Sequence, residues 1–272
     1  MSEKKWWPVL ALTLLVVASA FPFYWAILAS FTPEARLFQG PSLLPGHLVL
    51  DHYRALFTQR NFWVPIRNSL IVAGSTTAFC VAVGSLCAYA LARLQFRGKL
   101  ALLGFILAVG MFPQISVVSP LYMLLRSLRL INTYPGLILP YFTFAMPLTV
   151  WLLVGFFRQL PAELEEAAMV DGDSRLGALV RVILPLVTPG LAATAVFCLI
   201  VSWNEFLLAL VLTQTDAAMT LPVGIAGRVT QYEIKWGVMS AAGVVAMIPI
   251  LVFAMAVQRY LVRGLSLGAV KG

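Results

Sequence analysis

Apolar residues run along this chain in long unbroken blocks. They neither alternate nor return on one face at helical spacing. Six blocks, Trp7–Phe31, Asn68–Ala92, Leu100–Leu125, Tyr134–Phe157, Thr188–Thr213 and Trp236–Gln258, each reach the roughly 20 residues that cross a bilayer as a helix. Five contain no Asp, Glu, Lys or Arg, and the fifth in order holds Glu205. Backbone groups in lipid must be satisfied within their own segment or in a closed barrel, and the strand alternation of a barrel is absent. The pattern therefore predicts an all-α polytopic membrane protein with six transmembrane helices and a single transmembrane domain over residues 1–272. Pro113, Pro120, Pro140, Pro147 and Pro249 fall inside the blocks, where each removes a backbone donor and favours a kink.

Composition agrees. Of 272 residues, 61% are hydrophobic and only 11% charged, against about 25% charged in a soluble domain. The net charge of +8 comes from bases between the blocks, so topology and lipid headgroups account for it without nucleic acid. If both termini lie inside, the inside segments hold 11 of the 19 Lys and Arg and the outside segments 8, a weak bias of the right sign. The amino end, with a basic start and an apolar run too long for a signal peptide, is expected to be a retained first span. Cys80, Cys87 and Cys198 sit within apolar blocks as small hydrophobes. The histidines, His47 and His52, share one loop, so no metal site is expected.

One stretch breaks the pattern, EEAAMVDGDSRLGALVRVILP at 165–185. Pro161 suits a first helical turn, and Glu163, Glu165 and Glu166 suit the positive end of the helix dipole. Gly172 can take the left-handed conformation that ends a helix, and Asp173 or Ser174 can cap a second helix that stops before Pro185. The spacing predicts helix, tight turn, helix, then span. On the first helix, Leu164, Ala167, Ala168 and Asp171 share a face of small residues set between acids. An acid-rich helix is poorly matched to an anionic leaflet, so seating in a cleft of a cytosolic protein is the better reading than rest on the membrane.

The spacing of Glu166-Ala167-Ala168, Gly172 and Val182-Ile183-Leu184-Pro185 resembles the EAA loop of binding-protein-dependent ABC importer permeases, with Val182 where isoleucine is usual. The likeness extends over nearly the whole chain: NSLIVAGSTTAFCVAVGSLCAYALARLQFRGK, TLPVGI, Trp236-Gly237 and the tail GLSLGAVKG look like the smaller permease subunit of the maltose-type carbohydrate subfamily. The resemblance implies a type I permease fold and a cytoplasmic coupling loop at 158–187. Within it Leu164, Glu165, Glu166, Ala167, Ala168, Met169, Asp171 and Gly172 would meet an ATP-hydrolysing subunit. It also implies an external loop at 214–235. Tyr53, Gly227 and Tyr232 would face an external sugar-binding protein. The tail, 264–272, would reach the ATPase pair through Gly268, Lys271 and Gly272; a frayed, glycine-rich terminus is the alternative. A larger permease partner and two ATP-binding subunits complete the implied complex in a prokaryotic inner membrane. ATP and Mg would sit on those partners and no cofactor on this chain.

Candidate cargo contacts are Trp203, Asn204 and Glu205 in the fifth block and Gln114 beside Pro113. A carboxylate, amide and indole are what sugar recognition uses, and a charge within a span usually faces the bundle interior or water. A structural hydrogen bond from Glu205 or Asn204 to a neighbouring span is the alternative. Ahead of the second block, LVLDHYRALF predicts a short helix capped by Asp51. Its face of Tyr53, Leu56 and Phe57 would lie on the membrane or receive a partner. No phosphate-binding glycine loop is present, and the spans hold no His or Asp for intramembrane proteolysis. One glutamate is a thin relay for an ion-coupled carrier. The sequence thus points to a non-catalytic permease subunit for a sugar, with a disaccharide or short oligosaccharide as the family expectation. An ABC permease for a non-sugar solute, or an ion-coupled carrier, is the alternative.

Overall fold

The computed structural model describes residues 6–39, 44, 46–58, 61–227 and 235–269, with side chains through residue 258. Its helices are, in order, α1 Trp6–Phe31, α2 Glu34–Leu37, α3 Asp51–Thr58, α4 Trp63–Arg93, α5 Lys99–Gly110, α6 Gln114–Ser127, α7 Tyr134–Gln159, α8 Glu163–Val170, α9 Arg175–Ala178, a π turn at Leu179–Ile183, α10 Leu184–Leu186, α11 Thr188–Trp203, α12 Leu207–Leu212, α13 Leu221–Ala226 and α14 Trp236–Ala269. Among the described residues, four helices are long and apolar enough to cross a membrane, α1, α4, α7 and α14 (over Trp236–Gln258). Two bent pairs bring the number to six if each is one span: α5 with α6, meeting at 90°, and Arg175–Leu186 with α11, meeting at 78°.

The third and fifth blocks are thus interrupted, the third at Pro113, where a kink is expected. Pro113 ends α5 and α6 apart because it has no N–H to donate and disfavours helical geometry in the residue before it; its own ψ of 123 is extended. The fifth block stops at Trp203 and resumes as the separate α12.

Backbone contacts group the chain into two compact units, Met1–Trp63 with Gly224–Pro249, and Val64–Val223 with Ile250–Gly272. In the first, α1 exposes its apolar side chains along most of its length. The segment after it is tied by specific bonds. Glu34 accepts the N–H groups of Trp236 (2.8 Å) and Gly237 (3.0 Å), capping α14. The Tyr53 and Ser30 hydroxyls lie 2.8 Å apart, and the His52 Nε2 lies 2.8 Å from the Thr32 carbonyl. The α3 face is in large part turned onto its own unit. Leu56 is wholly buried, Tyr53 packs on Phe31, and Phe57 packs on Phe62 and Trp63. Asp51 is the first helical residue of α3.

In the second unit α7 is the central helix, packed by α5, α11 and α12. Small residues let the backbones approach, as expected where lipid offers helices no hydrophobic drive to associate. A Cβ on Gly84 would lie 2.6 Å from the Thr149 Cγ2, one on Gly110 2.9 Å from Pro147, and one on Gly190 inside the Phe156 ring. Three buried clusters are arranged along α7. One joins Tyr89, Val150, Leu153 and Phe157 to Leu179, Ile183 and Val187. A second is Cys80, Ala145 and Cys198. The third joins Val72, Leu125, Leu137 and Tyr141 to Leu208, Ala209 and Leu212.

Candidate coupling site

The interrupted stretch forms the helix–turn–helix that its residues predict. Gly172 has φ +96. The Asp173 N–H reaches back to the Ala168 carbonyl (3.0 Å) and the Gly172 N–H to that of Met169 (3.2 Å), the two bonds of a Schellman stop. Ser174 caps the second helix, its Oγ accepting the Gly177 N–H at 3.1 Å. Asp173, the other capping candidate, instead accepts from Arg181 at 2.6 Å on the surface.

The second helix does not stop before Pro185. It widens into the π turn Leu179–Ile183 and runs through Pro185 to Leu186. A wider turn just before a proline relieves the clash of its ring with the carbonyl four residues back. The same turn buries Leu179 and Ile183 against α4 and α7. The second half of the stretch is consequently seated in the core of the unit.

On α8 helical periodicity separates the expected contact residues into two faces. Leu164, Glu166, Ala167, Asp171 and Gly172 are exposed, Met169 is half-buried, and Val170 is 86% exposed. Glu165 and Ala168 face inward, so neither belongs to the free face on which a partner would seat. Glu165 is 7% exposed. The Tyr89 hydroxyl donates to its Oε1, and Arg93 Nε lies 3.8 Å from its Oε2. Arg93 also donates to the carbonyls of Leu160 (2.8 Å) and Pro161 (3.4 Å), the residues that lead into α8. Tyr89 and Arg93 are one turn apart at the end of α4, so a single helix end holds both the start and the body of α8. Sequence reasoning counted Arg93 only as a topological charge and passed over Tyr89. Their i, i+4 spacing at the close of an apolar span was the available signal.

At the opposite end of α4 and α7 polar side chains bind the segment that follows α12. Asn68, fully buried, donates to the carbonyls of Ala217 (2.8 Å) and Met219 (2.9 Å) and accepts from the Tyr134 hydroxyl (2.8 Å). Ser69 Oγ accepts the Leu221 N–H (2.8 Å), and Asn132 Oδ1 accepts those of Gln214 and Thr215. The first part of the expected external loop is thus braced, and TLPVGI continues as α13.

The cargo candidates are not gathered into one cluster. Trp203 is 3% exposed, so its indole offers no open stacking face. Asn204 is exposed and donates to its own helix at the Ile200 carbonyl (2.8 Å). Glu205 spans the break between α11 and α12. Its Oε1 accepts the Leu208 N–H (2.9 Å) and its Oε2 that of Ala209 (3.1 Å), so it caps α12. Gln114 opens α6, half-buried. Of the partner-facing candidates, Tyr53 is half-buried with its hydroxyl engaged, Gly227 is exposed, and Tyr232 lies outside the described residues. The backbone is helical through Ala269, so Gly268 belongs to α14 and not to a loose tail. Lys271 and Gly272 lie outside the described residues. Among the described residues no three His, Cys, Asp or Glu side chains are placed to hold a metal.

The pattern of the family described as "Binding-protein-dependent transport system inner membrane component" matches residues 80–267, a segment that includes the coupling stretch and its α4 and α7 supports. The chain is 43% identical over 269 residues to the trehalose transport system permease protein SugB of Mycobacterium tuberculosis, covering 98% of this chain and 97% of the relative. It is 40% identical over 267 residues to the trehalose/maltose transport system permease protein MalG of Thermococcus litoralis, covering 97% and 96%. In three dimensions it superposes with TM-score 0.78 on a chain of a bacterial ABC transporter involved in importing the acidic polysaccharide alginate, at 24% identity over 93% of this chain and 94% of that one, a likeness of fold. An all-helical membrane fold, an acid-rich helix stopped by a left-handed glycine, and full-length likeness to known permeases converge, and this chain belongs to the family of binding-protein-dependent transport system inner membrane components.

Proposed function

We propose that this chain is a transmembrane permease subunit of an ATP-driven importer of sugars, with a disaccharide or short oligosaccharide of the trehalose or maltose kind as cargo. The observation that carries the reading is the build of the coupling site. α8 presents Leu164, Glu166, Ala167 and Val170 outward while its inward face is fastened to α4 by Glu165 and its following turn is embedded on α7. A groove on a cytosolic ATPase that captures the free face would move α4 and α7 with it. Small side chains allow the close approach, and the exposed acids give the groove a basic complement.

In this reading ATP and Mg reside on two partner ATPase subunits, a second permease subunit completes the path, and the chain itself catalyses nothing. ATP-driven closure shifts the spans between inward-facing and outward-facing states, each stabilised by its own contacts, as alternating access requires. A sugar-loaded external protein docks at the opposite end, where the braced 213–221 segment lies. The coupling stretch and both termini are cytoplasmic, in a prokaryotic inner membrane. The cargo class is supported by the full-length relatives named for trehalose and maltose.

The test is co-purification with its neighbouring operon subunits in nanodiscs, followed by ATPase assays with the external protein and a sugar panel. One sugar-loaded binding protein is expected to stimulate hydrolysis, and Ala167→Asp to abolish that stimulation by placing a buried charge at the joint. A chain that binds no ATPase and is indifferent to Ala167→Asp overturns the reading.

A further inference from the structure

Where α5 packs on α7, one close approach fixes the register of the two antiparallel helices. A Cβ on Gly110 would lie 2.9 Å from Pro147, so these residues meet. Counting back along α5 and forward along α7 from that point sets Leu103 level with Val154 and Lys99 level with Arg158. This is the end of the bundle that carries α8. Arg93, at the close of α4, donates there to the Leu160 carbonyl just beyond α7.

An open groove of about 330 Å³ runs between the two helices at this level, large enough for part of a small molecule. Leu103 forms its α5 wall. On α7, Trp151, Gly155 and Arg158 follow at i, i+4 and i+7, one exposed helical stripe, with Gln159 beside Arg158. Trp151 is 52% exposed and stands about 10 Å along the helix axis from Arg158. Between them, a Cβ on Gly155 would meet nothing within 4 Å, so the floor of the groove is open. The groove is therefore amphipathic along its length. Its deep part is indole and aliphatic, and its mouth carries an amide and a guanidinium.

Charge selects the occupant. Lys99 and Arg158 are like charges at one level of neighbouring helices, and exposed Arg97 lies two residues before Lys99. Among the described residues the ion pairs are Arg93 with Glu165 and Arg181 with Asp173, so no carboxylate neutralises these three. Lys99 Nζ lies 3.5 Å from the Leu94 carbonyl. Basic pockets between membrane helices near the headgroup level bind anionic lipid heads, and an apolar floor below suits an acyl chain. A sugar would leave most of its hydroxyls without partners on these walls. We propose that this groove holds one anionic phospholipid. Its phosphate sits between Arg158 and Lys99, and one acyl chain crosses Gly155 alongside Trp151. The inference needs only that α5 and α7 lie in a membrane. It does not depend on the cargo or on the coupling reading.

The test is native mass spectrometry of the assembled complex, given phosphatidylglycerol or phosphatidylcholine and then washed in detergent. The unaltered complex is expected to retain one more phosphatidylglycerol per copy of this chain than Gly155→Leu, which fills the groove without changing its charge. Phosphatidylcholine should show no such difference. Arg158→Gln and Lys99→Gln should each weaken retention of that phosphatidylglycerol about fivefold. Equal retention of the two lipids overturns the site. So does phosphatidylglycerol bound regardless of Gly155→Leu or of the charge variants. Should the variants fail to assemble, a photoreactive benzoylphenylalanine placed at Trp151 in the otherwise unaltered complex decides. A crosslink to phosphatidylglycerol in nanodiscs is expected. A crosslink to a partner subunit, or to no lipid, overturns the site.

Discussion

At Glu165 a carboxylate is withdrawn from water and held by one hydroxyl and one guanidinium. A hydrogen bond to a charged group is worth about 1.5–3 kcal/mol, and a buried charge that loses its partner costs more than the bond was worth. Tyr89→Phe keeps the ring contact with Phe157 and removes only the donor. It should leave the complex assembled while loosening α8. Amide exchange over residues 163–170 is expected to quicken several-fold and transport per ATP to fall; unchanged exchange would mean that the bond does not fasten the helix. Gly172 makes a separate point. A Cβ there meets nothing within 4 Å, so Gly172→Val bears only the left-handed conformation, about 1–2 kcal/mol. That is enough to distort the turn without blocking insertion. Hydrolysis uncoupled from uptake is the expected outcome, milder in Gly172→Asn because asparagine tolerates this backbone region. Normal coupling in the valine variant would refute the role given to the turn.

Among the elements, α7 carries the most consequence, because the coupling turn packs on one of its ends and the α12 cluster on the other. Its approach to α11 depends on Gly190, where the Phe156 ring occupies the space a methyl would need. Gly190→Ala should overpack this crossing by about 1–3 kcal/mol and lower the unfolding temperature of the purified complex. A neutral result would show that Phe156 swings aside. The short α12 has six residues, too few to be stable alone, so its start depends on the Glu205 cap and its sides on the α7 cluster.

For the whole molecule the decisive quantity is the energy source. Among the described residues of the second unit, the apolar spans hold one acid, Glu205, and it is used to cap α12. Uptake should therefore require ATP and the ATPase partners and persist when ionophores collapse ion gradients in proteoliposomes. Uptake driven by a gradient without ATP would favour a secondary carrier.

Local chemistry is legible in sequence because it depends on neighbours in the chain. Apolar length marked the spans, Gly172 the left-handed stop, Ser174 one of two caps, and Pro113 a break in the third block. What depends on residues far apart in sequence needed the fold. The inward turn of Glu165 requires Tyr89 and Arg93, 76 positions away in the first case. The bracing of 213–221 requires Asn68, about 150 positions away. Glu205 looked like a pathway charge because nothing local announces that the span breaks beside it and that its oxygens face the first N–H groups of α12. The passage of the helix through Pro185 likewise follows from the packing of Leu179 and Ile183 on α4 and α7. The sequence by itself determined a helical, lipid-embedded chain with one acid-rich joint, since hydrophobic length and turn chemistry are properties of short segments. Only the tertiary structure decided which face of that joint is free and which is locked, because burial and hydrogen-bond partners are properties of pairs that the chain brings together by folding.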